Sequence, residues 1–229
     1  MAFDPVRQLQ LNLWRAGHVL NEQTFDTTRL EGKDDEEVDR LYERGRRWVG
    51  NLGERIQTRT GCTIDSRRAL DFGCGVGRIA LPLAERCEHV YGLDVSPAVL
   101  READRMAKHL NLTNVEWLDA SAVDQLAGSY DLLLSFYVFQ HIPSREGERI
   151  FAKLVQGLRP GGVAAVHFTI RPSKPRLDKS YPYMLVNSYS LNRLMRLLAE
   201  NGIYGVHVTW GNRSGPGSYE EATLVFRKD

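Results

Sequence analysis

Most of the chemistry this sequence can offer is gathered in one short run, Asp71-Phe72-Gly73-Cys74-Gly75-Val76-Gly77. Glycines let a backbone turn tightly and approach a ligand closely, because no Cβ stands in the way. An apolar run precedes this loop, an amphipathic segment follows it, and Asp94 lies 21 positions after Gly73. A strand, a glycine turn, a helix and a second strand ending in a carboxylate form the first half of a nucleotide-binding βαβ unit. The dinucleotide form of that fingerprint would place glycine or alanine at position 78, which here is Arg78. A carboxylate, Asp71, also stands two residues before the first glycine. It would repel a pyrophosphate and suit a ligand that carries positive charge.

The flanking pattern supplies the elements such a loop needs. Ala69–Phe72, His89–Leu93, Val115–Leu118, Tyr130–Phe136 and Val163–Phe168 read as strands. The Tyr130–Phe136 run is almost wholly apolar, as expected of a strand buried on both faces. Helices are predicted over Arg78–Arg86, from Ser96-Pro97 onward with Ser96 as N-cap, from Ser144, and over Leu191–Asn201. Strict alternation of this kind implies a mostly parallel sheet with right-handed crossovers. Two closing strands are expected near Tyr204–Trp210 and Ala222–Phe226, around a glycine-rich loop. Ahead of the alternation, Val38, Leu41, Tyr42, Trp48, Val49, Leu52 and Ile56 recur at helical spacing. A shorter helix is expected around Val6–Leu20.

Within this frame the chain resembles the class I S-adenosylmethionine-dependent methyltransferases. Four features carry the resemblance, between about Arg68 and Thr169: the Asp71–Gly77 loop, Asp94 ending the second strand, Asp119 after the third, and Leu158-Arg159-Pro160-Gly161-Gly162 before the fifth. The resemblance implies an α/β fold with a doubly wound, seven-stranded, mostly parallel sheet whose last strand is antiparallel. Residues 1–66 would form an N-terminal helical cap and 67–229 the core, with acceptor-side loops at 170–187 and 210–220. The cofactor would be S-adenosyl-L-methionine and the product S-adenosyl-L-homocysteine.

Ligands on open α/β sheets bind outside the carboxyl ends of the strands, which turns the linear reading into a site. Asp71, Gly73, Gly75 and Gly77 would hold the methionine part. Asp94 would take the ribose hydroxyls, since one carboxylate can accept from both; its alternative is a residue that merely leads into the next helix. By resemblance Asp119 would accept from the adenine amine; its alternative is an N-cap for a short helix over Ser121–Leu126. The fourth strand runs into Ser135-Phe136-Tyr137-Val138-Phe139-Gln140-His141-Ile142-Pro143. It lacks the Asn/Asp-Pro-Pro-aromatic tetrapeptide that enzymes acting on base amines share. His141 is the candidate general base, because histidine titrates near neutral pH; a loop-shaping role is its alternative. His167 is expected to be a packed residue near the site rather than a base.

Composition narrows the partners. With 42% apolar residues, 26% charged residues and a formal charge of +1, the chain has no electrostatic footprint for nucleic acid or an anionic membrane. No apolar run nears the roughly 18–20 residues of a membrane span. Cys62, Cys74 and Cys87 are odd in number and without metal-ligand spacing, as free thiols in a reducing cytoplasm would be. By resemblance the expected acceptor is a small molecule, methylated at oxygen, with methylation at nitrogen or carbon as the alternative. The tyrosine- and arginine-bearing segment after Arg171 and the Trp210–Tyr219 loop would select it. Oligomeric state does not follow from the residues. The alternatives are an S-adenosylmethionine-binding protein that acts through a partner, and a nicotinamide-dependent oxidoreductase, against which Arg78 and Asp71 speak.

Overall fold

A computed structural model describes residues 35–171, 176–178, 181–212 and 220–229. Strands β1 (Arg68–Phe72), β2 (His89–Asp94), β3 (Val115–Asp119), β4 (Tyr130–Ser135) and β5 (Leu158–Arg171) are parallel, and β9 (Glu220–Arg227) runs antiparallel to both β5 and β8 (Val206–Asn212). The order across the sheet is β3-β2-β1-β4-β5-β9-β8, so the chain reverses direction of travel beside β1. That reversal leaves a crevice at the carboxyl ends of β1 and β4, where ligands on such sheets bind.

Both faces of the sheet are covered. On one, Leu70, Leu133, Val166 and Phe168 pack with Phe151 and Leu154 of α4 (Ser144–Gly157) and Leu194 and Leu198 of α5 (Leu191–Glu200). On the other, Ala69, Leu132, Leu134, Val163 and Ala165 pack with Val49, Leu52 and Ile56 of α1 (Asp35–Thr60) and Ala80 and Leu83 of α2 (Ala80–Ala84). Each fully buried leucine or isoleucine in these layers contributes about 1.5–3 kcal/mol. Helix α3 (Pro97–His109) starts as its sequence predicts, with Ser96 accepting from the Val99 amide and proline in the first turn.

Several boundaries differ from the sequence reading. The helix expected over Arg78–Arg86 shrinks to the five residues of α2. Gly75 and Gly77 hold left-handed φ values of +54° and +82°, which keep residues up to Ile79 in turns. So short a helix adds little dipole at its loop end. Strand β5 begins at Leu158, with Arg159–Gly162 looped out between the Tyr130–Leu158 and Leu132–Val163 pairs. The segment read as irregular after Arg171 contains a two-stranded antiparallel ribbon, β6 (Arg176–Asp178) and β7 (Tyr181–Val186). Its run of Tyr, Met, Leu and Val suits extended backbone. The Val6–Leu20 helix and most of the Trp210–Tyr219 loop lie outside the described residues. Cys62, Cys74 and Cys87 are free thiols. Among the described residues no helix is long and apolar enough to cross a membrane, and no cluster of acidic, histidine or cysteine side chains could hold a metal ion.

Candidate functional site

β1 delivers Asp71 into the core and then releases the chain into the glycine loop. The amides of Gly73 and Cys74 both donate to the Leu93 carbonyl, at 2.7 and 2.9 Å, which pins the start of the loop to β2. Gly73 has φ +77°, and any Cβ there would run into the Val138 side chain. Gly75 is the opposite case: its φ is +54° and a Cβ would meet no protein atom within 4 Å. One glycine is needed for the protein's own packing, while the other borders open space. From α1, Tyr42 donates to the Val76 carbonyl at 3.0 Å, which ties this helix to the loop.

Asp71 is 1% exposed, accepts from the Ala80 amide, and leaves Oδ2 without a hydrogen-bond partner among the described residues. Burial pushes its carboxyl up to about 7; Arg78 pulls against that rise and Asp94 adds to it. A buried, unfilled acceptor beside a glycine loop is a place made for a donor or a cation.

Asp94 ends β2 and is buried. Its Oδ2 accepts from the Gly75 amide at 3.0 Å and its Oδ1 from the Ser96 amide at 3.0 Å. Burial raises its affinity for a proton, and the backbone amides of Ser96, Gly75 and Val95 oppose that rise. Each carboxylate oxygen retains acceptor capacity beyond one amide, so both are able to accept from a ligand hydroxyl. Asp119 sits directly beside Asp94 in the β2–β3 register. Its Oδ1 accepts from the Ser121 amide at 2.9 Å and caps the 3-10 turn Ala120–Leu126, the structural alternative raised for it. Val95 (36% exposed) and the partly buried Leu118 stand next to these two carboxylates in the chain.

The exit of β4 is held from several sides. Ser135 donates to the Phe72 carbonyl at 2.9 Å, and Tyr189 places its hydroxyl 2.9 Å from the Phe139 carbonyl and 2.7 Å from that of Ile142. These contacts fix a 3-10 turn, Phe139–His141. His141 is half-buried on it, its Nε2 3.0 Å from Gln140 Nε2. Tyr137, ahead of the turn, has φ +62°, a left-handed conformation uncommon for a bulky residue. Its ring lies 4.5 Å from that of His167.

The structure therefore brings Asp71, Gly73, Gly75, Gly77, Asp94, Asp119 and His141 to one end of the sheet, on β1, β2, β3 and β4 or the turns after them. It adds Glu221, which sequence reasoning missed, and gives His167 and Arg78 surroundings that the sequence did not show. His167 on β5 is 5% exposed, with Nε2 3.5 Å from Oε2 of Glu221 on β9. Only the antiparallel β5–β9 register brings this carboxylate there, and no local motif signals it. Arg78, present in the sequence only as the residue in place of a third glycine, is half-buried and feels both Asp71 and Tyr137.

Residues 69–162 match the family model described as a methyltransferase domain. Among curated proteins, the chain is 38% identical over 101 residues to a trans-aconitate 2-methyltransferase of Deinococcus radiodurans, covering 43% of this chain and 36% of that one. It is 34% identical over 85 residues to a magnesium-protoporphyrin O-methyltransferase of Synechocystis, covering 37% of each. The chain thus spans little more than a third of the length of these relatives. Among solved structures, the magnesium protoporphyrin IX methyltransferase of Synechocystis with bound S-adenosylmethionine superposes with a TM-score of 0.63 at 20% identity, over 99% of both chains. At that identity the likeness concerns the fold, and strand order and the mostly parallel character agree with it. Residues 69–162 thus match a methyltransferase domain, and the fold that carries them is the one seen in the S-adenosylmethionine-bound methyltransferase structure.

Proposed function

We propose that this protein transfers a methyl group from S-adenosyl-L-methionine to an oxygen atom of a small-molecule acceptor. The observation that carries the donor assignment is the Oδ2 atom of Asp71, buried and unfilled two residues before the glycine loop. A nicotinamide dinucleotide would bring pyrophosphate to that carboxylate, whereas a donor with an ammonium and a sulfonium brings compensating charge. The acidic pair at the ends of β2 and β3 fits the remainder of such a donor. Asp94 would hold the ribose hydroxyls, Asp119 the adenine amine, and the backbone of Gly73–Gly77 the methionine part.

S-adenosylmethionine held there would supply a methyl group already activated for displacement. What remains for the chain is to align an acceptor and exclude water, and alignment alone is able to supply roughly 7–11 kcal/mol of the barrier. Transfer to oxygen is supported by the relatives' names, which include O-methyltransferases acting on magnesium-protoporphyrin and in ubiquinone biosynthesis. The segment after β5 and the loop after β8 leave the sheet on the site side and would shape the acceptor pocket. A hydroxyl acceptor also needs a receiver for its proton, and His141 is the candidate drawn from the sequence. Turnover of His141→Ala that matches the wild type between about pH 6 and 9 removes it from that role.

Two measurements test the reading. Calorimetric titration should show binding of S-adenosylmethionine and none of NAD. Release of S-adenosylhomocysteine should then be screened against phenols, alcohols, carboxylic acids and amines. Binding of NAD in place of S-adenosylmethionine would overturn the donor assignment, and release with amines alone would overturn transfer to oxygen.

A further inference from the structure

The sheet registers put His167 and Asp71 on the same face. Asp71 pairs with Leu134, and Leu134 with Ala165, so these three side chains form one cross-strand row. His167 lies two residues beyond Ala165 on β5 and points the same way, and Thr169 lies two beyond that. Both are more than nine-tenths buried, and neither His167 ring nitrogen nor the Thr169 hydroxyl has a hydrogen-bond partner among the described residues. Nε2 faces Glu221 Oε2 at 3.5 Å, which leaves Nδ1 and the Thr169 hydroxyl; buried polar groups are almost always satisfied, so these two atoms mark a place for a polar ligand.

The surroundings state what kind of ligand. The Tyr137 ring lies 4.5 Å from the imidazole and the Phe136 ring stacks at 6.2 Å, itself backed edge-on by Trp48 of α1 at 4.5 Å. The wall of the patch is aromatic. Charge near it comes from Glu221 on β9, and from Arg78 and Asp71 on the β1 side, where Arg78 acts on Tyr137. A carboxylic acid acceptor would arrive already ionised and need no base. A phenol would arrive protonated, with a pKa near about 10, and would need one.

We infer that His167, oriented by Glu221, and not the sequence candidate His141, receives the proton of a phenolic acceptor during methyl transfer; this rests on the transfer to oxygen proposed above. The ring nitrogen that faces Glu221, Nε2, carries the proton in the neutral tautomer, and Nδ1 is left as the base. The acceptor oxygen uses a lone pair to form the new O–CH3 bond and gives its proton to Nδ1. The bonding pair of the broken S–CH3 bond stays on sulfur and neutralises the sulfonium, and His167 then returns the proton to solvent. Thr169 lies ready to hydrogen-bond the same ligand. Glu221 is a positioning residue that favours the productive tautomer and the imidazolium. Tyr137, in its left-handed backbone conformation, sets its ring 4.5 Å from that of His167 and would stack on the same acceptor ring.

The test uses phenol and catechol as acceptors with the full chain. His167→Asn should lower turnover of catechol at pH 7 by about 100-fold or more. It should still bind S-adenosylhomocysteine within about threefold of the wild type by calorimetry. Its residual rate should climb with pH toward the ionisation of the phenol itself, because a preformed phenolate needs no base, while the wild-type rate is flat there. Glu221→Gln should lower kcat about 10-fold with little change in KM, and Glu221→Asp should restore part of it. S-adenosylhomocysteine binding without transfer to either phenol by the wild type would overturn the acceptor class. Transfer that survives in His167→Asn, or a residual rate that ignores pH, would overturn the base. If the wild type binds no S-adenosylhomocysteine, the failure lies with the donor site and the underlying function. Should His167→Asn not fold, an unchanged kcat in Glu221→Gln overturns the pair.

Discussion

The Gly75 amide donates to Asp94 Oδ2 at 3.0 Å, so the carboxylate that ends the second strand is tied to the loop that ends the first. One side chain thereby shapes the loop and lines the crevice between the two strands. Its second oxygen takes the Ser96 amide, which also sets the entrance to α3.

Asp94→Ala should therefore fail twice. The Gly75 and Ser96 amides, among others, lose their acceptor, at a cost of about 1–3 kcal/mol each where they stay out of water. Binding of S-adenosylmethionine should fall below calorimetric detection. A variant that binds normally would show that Asp94 belongs to the scaffold alone.

Asp71 makes stability depend on pH. Its folded-state value of about 7 lies above the ordinary 3.8, so the native protein holds a proton that the unfolded chain releases between those limits. Stability therefore falls as pH rises through that window and levels off above about 7. Asp71→Asn removes the term, so its melting temperature should gain on the wild type progressively from about pH 4 to 7, with a constant gain beyond. A gain that is the same at pH 4.5 and 7.5 would contradict the buried, proton-holding carboxyl. A cationic ligand favours the ionised form, so wild-type affinity for S-adenosylmethionine should weaken as pH drops below about 7 and that of Asp71→Asn should not.

Gly73→Ala and Gly75→Ala should separate folding from binding. At Gly73 the new methyl meets Val138, and the backbone is left-handed as well. Strain and clash together should remove about 2–4 kcal/mol of stability. At Gly75 the methyl meets no protein atom, so only the conformational cost of about 1–2 kcal/mol applies. Donor affinity should nevertheless drop at least tenfold in Gly75→Ala, because the methyl projects into the space beside Asp94. Chemical denaturation and calorimetry on the same two variants check both halves.

Lys228 offers a test of the scaffold away from the site. Its Nζ donates to the carbonyls of Val155, Gln156 and Leu158, at 2.9, 2.9 and 2.8 Å, and so closes the end of α4 from the last strand. Its backbone pairs with the looped-out residues Gly161 and Gly162. Lys228→Ala should cost about 1–3 kcal/mol, a melting shift of roughly 2–12 °C, and leave donor binding intact. An unchanged melting temperature would mean that water replaces the ammonium without loss.

The local chemistry of the sequence was enough to place the first βαβ unit. Alternating apolar runs, the Ser96-Pro97 start and the glycines with their left-handed φ depend on neighbours a few residues away, and the strands and α3 appear where that chemistry puts them. The same locality explains the misses. The short α2 reflects glycine φ values that carry the turn farther than hydrophobic period suggests. The β6–β7 ribbon depends on pairing between segments that show no alternation.

By itself the sequence determined the class of fold, the glycine loop and the acidic residues at the strand ends, because each rests on short-range backbone geometry and on which residue follows which. Only the tertiary structure decided that Asp71 is buried with an empty oxygen, that Asp94 and Asp119 stand side by side, and that Glu221 faces His167 from 54 positions away. Burial and cross-strand register are properties of the assembled sheet. Electrostatic character follows from them, since the same carboxyl is an ordinary acid in water and a proton holder in the core.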